Sequence, residues 1–180
     1  RIGNDVLRFV QRTHELGTGF LQSIVSLLSF AYILWGIYLI APLPLLADFL
    51  AALPGLDVAV YSEIWGNPVR SQVKQGAAAY KAHNADAVIG LGGGAALDVA
   101  KAVALMASHP GDILEYAWDH PEVRPIGRPL PYFVALPTTA GTGSEVGRSA
   151  VVSDDMTHIK KIIFSPALLA KCVFADPELT

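Results

Sequence analysis

The sequence predicts an α/β fold built on a parallel sheet, with a long apolar helix ahead of it. Three observations carry that expectation. Short apolar runs such as Val88–Leu91 and Tyr132–Leu136 are too brief for helices and read as buried strands. They alternate with segments whose apolar residues recur at helical spacing, the pattern of βαβ units. Phe20–Ile40 is almost continuously apolar, about the length that a bilayer crossing needs. At 180 residues the chain can bury a real core. A net charge of −3 offers no basic surface, so nucleic acid is not an expected partner. The single cysteine, Cys172, cannot form an internal disulfide and reads as a small core residue, which suits a reducing compartment.

Residues 1–18 are polar and helix-like, and no charge falls between Leu16 and Ala47. Tyr32, Trp35 and Tyr38 sit where interfacial aromatics would lie if Phe20–Ile40 spans a membrane, with Arg1, Arg8 and Arg12 on the cytoplasmic flank. The alternative is a buried helical hairpin. Ala41-Pro42-Leu43-Pro44 breaks the run and divides the chain into an apolar segment, 1–43, and a second unit, 44–180. In that unit, Leu45–Leu53 reads as a short helix stopped by Pro54-Gly55, and Asp57–Tyr61 as a strand. Val69, Val73, Ala77 and Tyr80 form one face of a helix ending near Asn84. After Val88–Leu91, Leu97, Ala100, Val103 and Ala104 mark a helix to about Ser108. Asp112 can cap a short helix containing Ile113, Leu114 and Tyr116. Residues 119–131, with four prolines, read as a surface loop. Ser149–Ser153, Lys160–Phe164 and Cys172–Ala175 read as strands, and Pro166–Ala170 as a short helix.

Gly92-Gly93-Gly94 joins a strand to a helix, which presents bare backbone N–H groups at a positive helix end. A diphosphate is the natural occupant, and an ordinary tight turn is the alternative. Lys101, about one turn into the helix, tilts the balance toward phosphate by reaching back to an anion. Asp98 suits the helix dipole whatever binds there. A second loop, Thr138-Thr139-Ala140-Gly141-Thr142-Gly143-Ser144-Glu145, directly follows its own strand. Its hydroxyls can donate to phosphate or ribose oxygens, or satisfy the loop's own backbone. Two such loops beyond the carboxyl ends of strands favour a dinucleotide site, although the spacing is not G-x-G-x-x-G.

These two loops, Gly92–Lys101 and Leu136–Glu145, together resemble the paired signature of iron-containing (group III) alcohol dehydrogenases, including the maleylacetate reductase branch. Asn67-Pro68, Lys160, Ser165-Pro166 and Phe174–Leu179 also match that family's pattern. The resemblance covers about residues 44–180. It implies a Rossmann-like sheet forming the N-terminal half of the dehydroquinate synthase-like fold. It also implies a cytoplasmic, NAD- or NADP-dependent enzyme that exchanges hydride with a small alcohol or carbonyl. By carry-over, Gly92, Gly93, Gly94 and Ala95 meet the diphosphate through their backbone, with Asp98 nearby. Thr138, Thr139, Thr142 and Ser144 hold the phosphate and nicotinamide-ribose side, and Asn67 and Lys160 line the cleft. The family usually has Ser or Lys where Ala95 stands, and many members have Thr where Gly147 stands.

The family's catalytic iron or zinc is bound by an Asp and three His of a helical domain that would follow Thr180. No catalytic or metal-ligating residue is therefore assigned in this chain, which is expected to be an incomplete, inactive portion of such an enzyme. Asp154 and His158 have helical ligand spacing but read as a hairpin turn, and His14, His83, His109 and His120 read as surface or loop positions. Residues 1–40, through Arg1-Ile2, Leu7-Arg8-Phe9, Ser23–Phe30 and Ile33–Gly36, resemble a membrane-domain segment of bacterial ABC transporters. That resemblance implies an alternative, a catalytically inactive membrane-attached fusion fragment contacting the bilayer through Phe20–Ile40. The exposed edges of a partial sheet would also favour a homo-oligomer.

Overall fold

The computed structural model describes Gly55 and residues 57–179. The run Phe20–Ile40 and the helix expected at Leu45–Leu53 lie outside these residues. Among the described residues, no helix is long and apolar enough to cross a membrane. The described elements are, in chain order, α1 (Arg70–Ala82), β1 (Ala87–Gly92), α2 (Gly94–Ser108), β2 (Tyr132–Pro137), β3 (Ser149–Ser153), β4 (Lys160–Phe164) and β5 (Cys172–Val173). Short 3₁₀ turns form at Ile113–Tyr116, Ser144–Val146 and Pro166–Leu168.

The parallel sheet has the order β1-β2-β5, with Ile89 opposite Val134 and Val134 opposite Cys172. β3 and β4 do not join it. They pair with each other as an antiparallel hairpin, Val151 opposite Ile162 and Ser153 opposite Lys160. Local chemistry dictates this reversal. The Asp154 carboxylate accepts from the backbone N–H of Met156 (2.9 Å) and Thr157 (2.8 Å), folding the connection into an Asx turn. A parallel pair would need a crossover of about a dozen residues. The Asp154 and His158 pair therefore sits in a turn, with His158 at φ +57°.

Asp57–Tyr61 enters no sheet ladder, contrary to the strand expected there. Side chains attach it to α1 instead. Tyr61 Oη lies 3.0 Å from Gln72 O and 3.2 Å from Gln75 Oε1, and His83 Nε2 lies 3.0 Å from Asp57 O. Cys172 is only half-buried, on the edge strand β5.

α2 organises the core. Its residues are apolar around most of the circumference, and such a helix is stable only when covered on several sides. Leu97 and Ala100 pack with Phe133 and Ala135 of β2. Ala102, Leu105 and Met106 pack with Val73 and Ala77 of α1, Ile113 and Tyr116, and Ala150, Val152 and Ile163 of the hairpin. Leu97 and Leu105 are fully buried, each worth about 1.5–3 kcal/mol relative to exposure.

His109, expected at a surface or loop position, lies in the loop just past the helix end and is 5 % exposed. It follows α2 directly, with Nδ1 3.2 Å from Leu105 O and Nε2 accepting from Arg128 N at 3.2 Å. The pair of contacts fixes the neutral tautomer carrying the proton on Nδ1. The ring meets Tyr116 edge-on, with centroids 5.8 Å apart.

Candidate dinucleotide site

β1 ends in Gly92, at φ +138°, where a Cβ would also come within 2.8 Å of Ala96 Cβ. Only glycine serves both demands. Gly93 is the N-cap of α2 and supplies no capping side chain, and the first turn holds no acidic residue. The first internal bond is Leu97 N–H to Gly93 O, at 3.1 Å. The N–H groups of Gly94, Ala95 and Ala96 therefore have no partner within the helix.

The second loop leaves the neighbouring strand at the same sheet end. Thr138 N–H donates to Gly92 O at 3.0 Å, joining the two strand ends. Thr139 lies beside Gly93, and Thr142 beside Gly94, where a Cβ would meet Thr142 Cγ2 at 2.9 Å. Gly143, in the left-handed region at φ +64°, then starts the Ser144–Val146 turn.

Between these segments and the hairpin lies a cavity of about 460 Å³. Of the residues expected at the site, Asn67, Gly94, Ala95, Asp98, Thr142, Ser144 and Lys160 line it. Gly92, Gly93, Thr138 and Thr139 are not in its lining; they form the joined strand ends beside it. Asn67 is brought in because Ser153 N–H donates to Pro68 O at 2.8 Å, tying the segment before α1 to the end of β3. Lys160, exposed at the start of β4, makes no ion pair among the described residues, so its charge is available to an anion.

Sequence reasoning missed the hairpin wall, where Ser149, Val151 and Ser153 line the cavity. The run Ser149-Ala150-Val151-Val152-Ser153 has no polar–apolar alternation to signal this face, which emerges only with Ala150 and Val152 fully buried behind it.

Two charged residues play parts different from those expected. Lys101 does not reach toward the helix start. It is 1 % exposed, and its Nζ donates to Ser144 O, to Ser144 Oγ at 3.0 Å and to Ser149 O at 2.8 Å. Asp98 lies beyond the first turn, and its carboxylate accepts from Ser144 Oγ (2.7 Å) and Val151 N–H (3.1 Å). Burial pushes the Lys101 ammonium below the ordinary lysine range, against the opposing pull of Asp98 and Glu145. Glu145 Oε2 is buried with no hydrogen-bond partner among the described residues. Ser144 thus spends its hydroxyl inside the protein, which leaves its place in the cavity wall structural.

The assembled chemistry is an anion cradle. It comprises bare helix-end N–H groups, the Lys160 ammonium at the rim, and a threonine side chain, Thr142, in the lining. These features fit the diphosphate of a dinucleotide. They do not fit a catalytic metal: among the described residues no three of His, Cys, Asp and Glu come together as ligands.

Comparison with known proteins bears on the family and the fold. The sequence profile described as iron-containing alcohol dehydrogenase matches residues 17–177. The chain is 39 % identical over 130 residues to 4-hydroxybutyrate dehydrogenase of Cupriavidus necator, covering 72 % of this chain and 34 % of that protein. It is 36 % identical over 125 residues to NAD-dependent methanol dehydrogenase of Bacillus methanolicus, covering 69 % and 32 %. Among solved structures, alcohol dehydrogenase from Oenococcus oeni aligns with a TM-score of 0.68 at 34 % identity, covering 76 % of this chain and 35 % of that one. Sulfoacetaldehyde reductase from Bifidobacterium kashiwanohense, solved in complex with NAD+, aligns with a TM-score of 0.63 at 31 % identity, covering 74 % and 35 %. The chain spans about a third of the length of the curated relatives it matches. The profile begins at residue 17 and takes in Phe20–Ile40, so the transporter resemblance of residues 1–40, and the membrane anchoring it implied, gain no support. With the profile covering most of its length, the chain belongs to the iron-containing alcohol dehydrogenase family.

Proposed function

We propose that residues 44–180 are the dinucleotide-binding part of an NAD- or NADP-dependent alcohol dehydrogenase acting on a small alcohol or carbonyl. The observation that carries this reading is the uncapped first turn of α2, facing a 460 Å³ cavity. When bound, the dinucleotide supplies or accepts the hydride exchanged with the substrate. The residues of this chain bind and orient it. Gly93, Gly94 and Ala95 offer N–H groups to the diphosphate, and the missing Cβ of Gly94 lets the Thr142 side chain pack against the turn. Lys160 adds positive charge at the rim, and Asn67 closes the side next to β3. Thr138, Thr139 and Thr142 face the nicotinamide-ribose side. The described residues offer no ligand set for the family's metal, and no step is assigned to one.

The test is a fluorescence titration of the full chain with NADH. A saturable enhancement at one site per chain is expected. Absence of binding at millimolar NADH would remove the assignment.

A further inference from the structure

Lys101 is a cation inserted into the interior, and the site as described gives it no ligand. It stands on the third turn of α2, side chain wholly enclosed, with three oxygens from two later elements around Nζ. Ser144 belongs to the turn that walls the cavity on one side, and Ser149 begins the hairpin strand that walls it on another. One turn back along the same helix face, Asp98 holds the same two elements through Ser144 Oγ and Val151 N–H. Nζ lies 3.8 Å from Asp98 Oδ1, so the two charges also support each other. α2 therefore holds both walls from a point behind its own half-buried N-terminus.

We infer that Lys101 is a positioning residue that sets the spacing between the glycine turn and the opposing walls at 142–151. Resting on the dinucleotide reading above, it sets cofactor affinity without touching cofactor. Its chemistry differs from that of a filler side chain. An ammonium has three N–H groups for the two carbonyls and one hydroxyl oxygen around it, whereas a neutral amine has two and leaves one of these oxygens without a donor. The charged groups facing it are Asp98 on α2 and Glu145 on the turn; β3 contributes none, and Lys160 stands on β4 at the cavity.

Two readouts test this in the full chain. The first is amide hydrogen exchange across 142–151 in wild type, Lys101→Met and Lys101→Arg. In the Met variant, exchange in this segment rises about tenfold or more while the α2 amides from Ala102 to Met106 keep their protection. The second is NADH affinity against pH. It weakens about tenfold in Lys101→Met, less in Lys101→Arg, and in wild type it falls on the acid side of the ordinary lysine range as Nζ loses its proton. The Arg variant lacks that fall. Folding stability moves the opposite way across the same window, because the unfolded lysine then binds more protons than the folded one. A folded Met variant with unchanged exchange and unchanged affinity overturns the inference. If the Met variant does not fold, parallel pH profiles for wild type and Lys101→Arg overturn it. Failure of wild type to bind NADH removes the dinucleotide reading, while the exchange measurement still decides whether Lys101 positions the walls.

Discussion

The two long helices of the described residues differ in what meets their first turns. At the start of α1, Val69 N–H donates to Gln72 Oε1 (3.1 Å), and Ser71 N–H donates to the Asp155 carboxylate (3.0 Å) reaching across from the hairpin turn. Arg70 extends the same corner to Asp112 at 2.7 Å. The protein thus neutralises that positive helix end with its own groups. At the start of α2, no side chain caps Gly93 and no acid occupies the first turn. The carboxylate of Asp98, just past that turn, is engaged by Ser144 Oγ and Val151 N–H. Free helix-end N–H groups cost stability unless something meets them. A helix end left open beside a cavity, while the other long helix of the described residues has its start met by Gln72 and Asp155, is the contrast on which the proposed anion site rests.

The largest expected effect comes from making α2 resemble α1. Ala95→Asp places a carboxylate in the first turn, where it meets the free N–H groups and repels a diphosphate. NADH affinity should fall about 100-fold, or roughly 3 kcal/mol. Folding stability should rise by about 0.3–1 kcal/mol. Titration and thermal melting of the same variant check both signs, and a stability gain with NADH binding intact breaks the comparison. The converse change, Asp155→Ala, opens α1. It should cost about 1–2 kcal/mol in thermal or urea unfolding and leave NADH affinity within about twofold, since Asp155 lies outside the cavity lining.

The smallest effect concerns the turn that delivers Asp155. The N–H groups of Thr157 and Met156 hold the neighbouring Asp154 carboxyl below the usual aspartate range. Its contribution is present above the unfolded aspartate pKa and is lost as pH falls through the lower folded value. The stability difference between wild type and Asp154→Ala should shrink on that acid side and stay flat at neutral pH.

The same contrast explains what could be read in advance. The glycine turn was legible because three glycines between a strand and a helix state their geometry locally. The threonine loop was legible because it directly follows its strand. Lys101 was misread because spacing along a helix gives distance from the N-terminus but not direction. Its partners, Ser144 and Ser149, come from elements far along the chain. The hairpin turn at 154–158 was legible because it lies between two short strand runs, but its separation from the parallel sheet was not. The hairpin's cavity face could be assigned only after Ala150 and Val152 were known to face the core. His109 followed an evident helix end, but the Arg128 N–H that buries its polarity belongs to a loop whose path no periodicity records.

The most direct measurement is the amide NMR spectrum of the full chain during addition of NADH. Resonances of Gly93, Gly94, Ala95 and Ala96 should shift saturably, while those of Ser71 and Gln72 at the closed start of α1 stay in place. Equal shifts at both helix starts, or none at Gly93–Ala96 with NADH at saturation, would contradict the account.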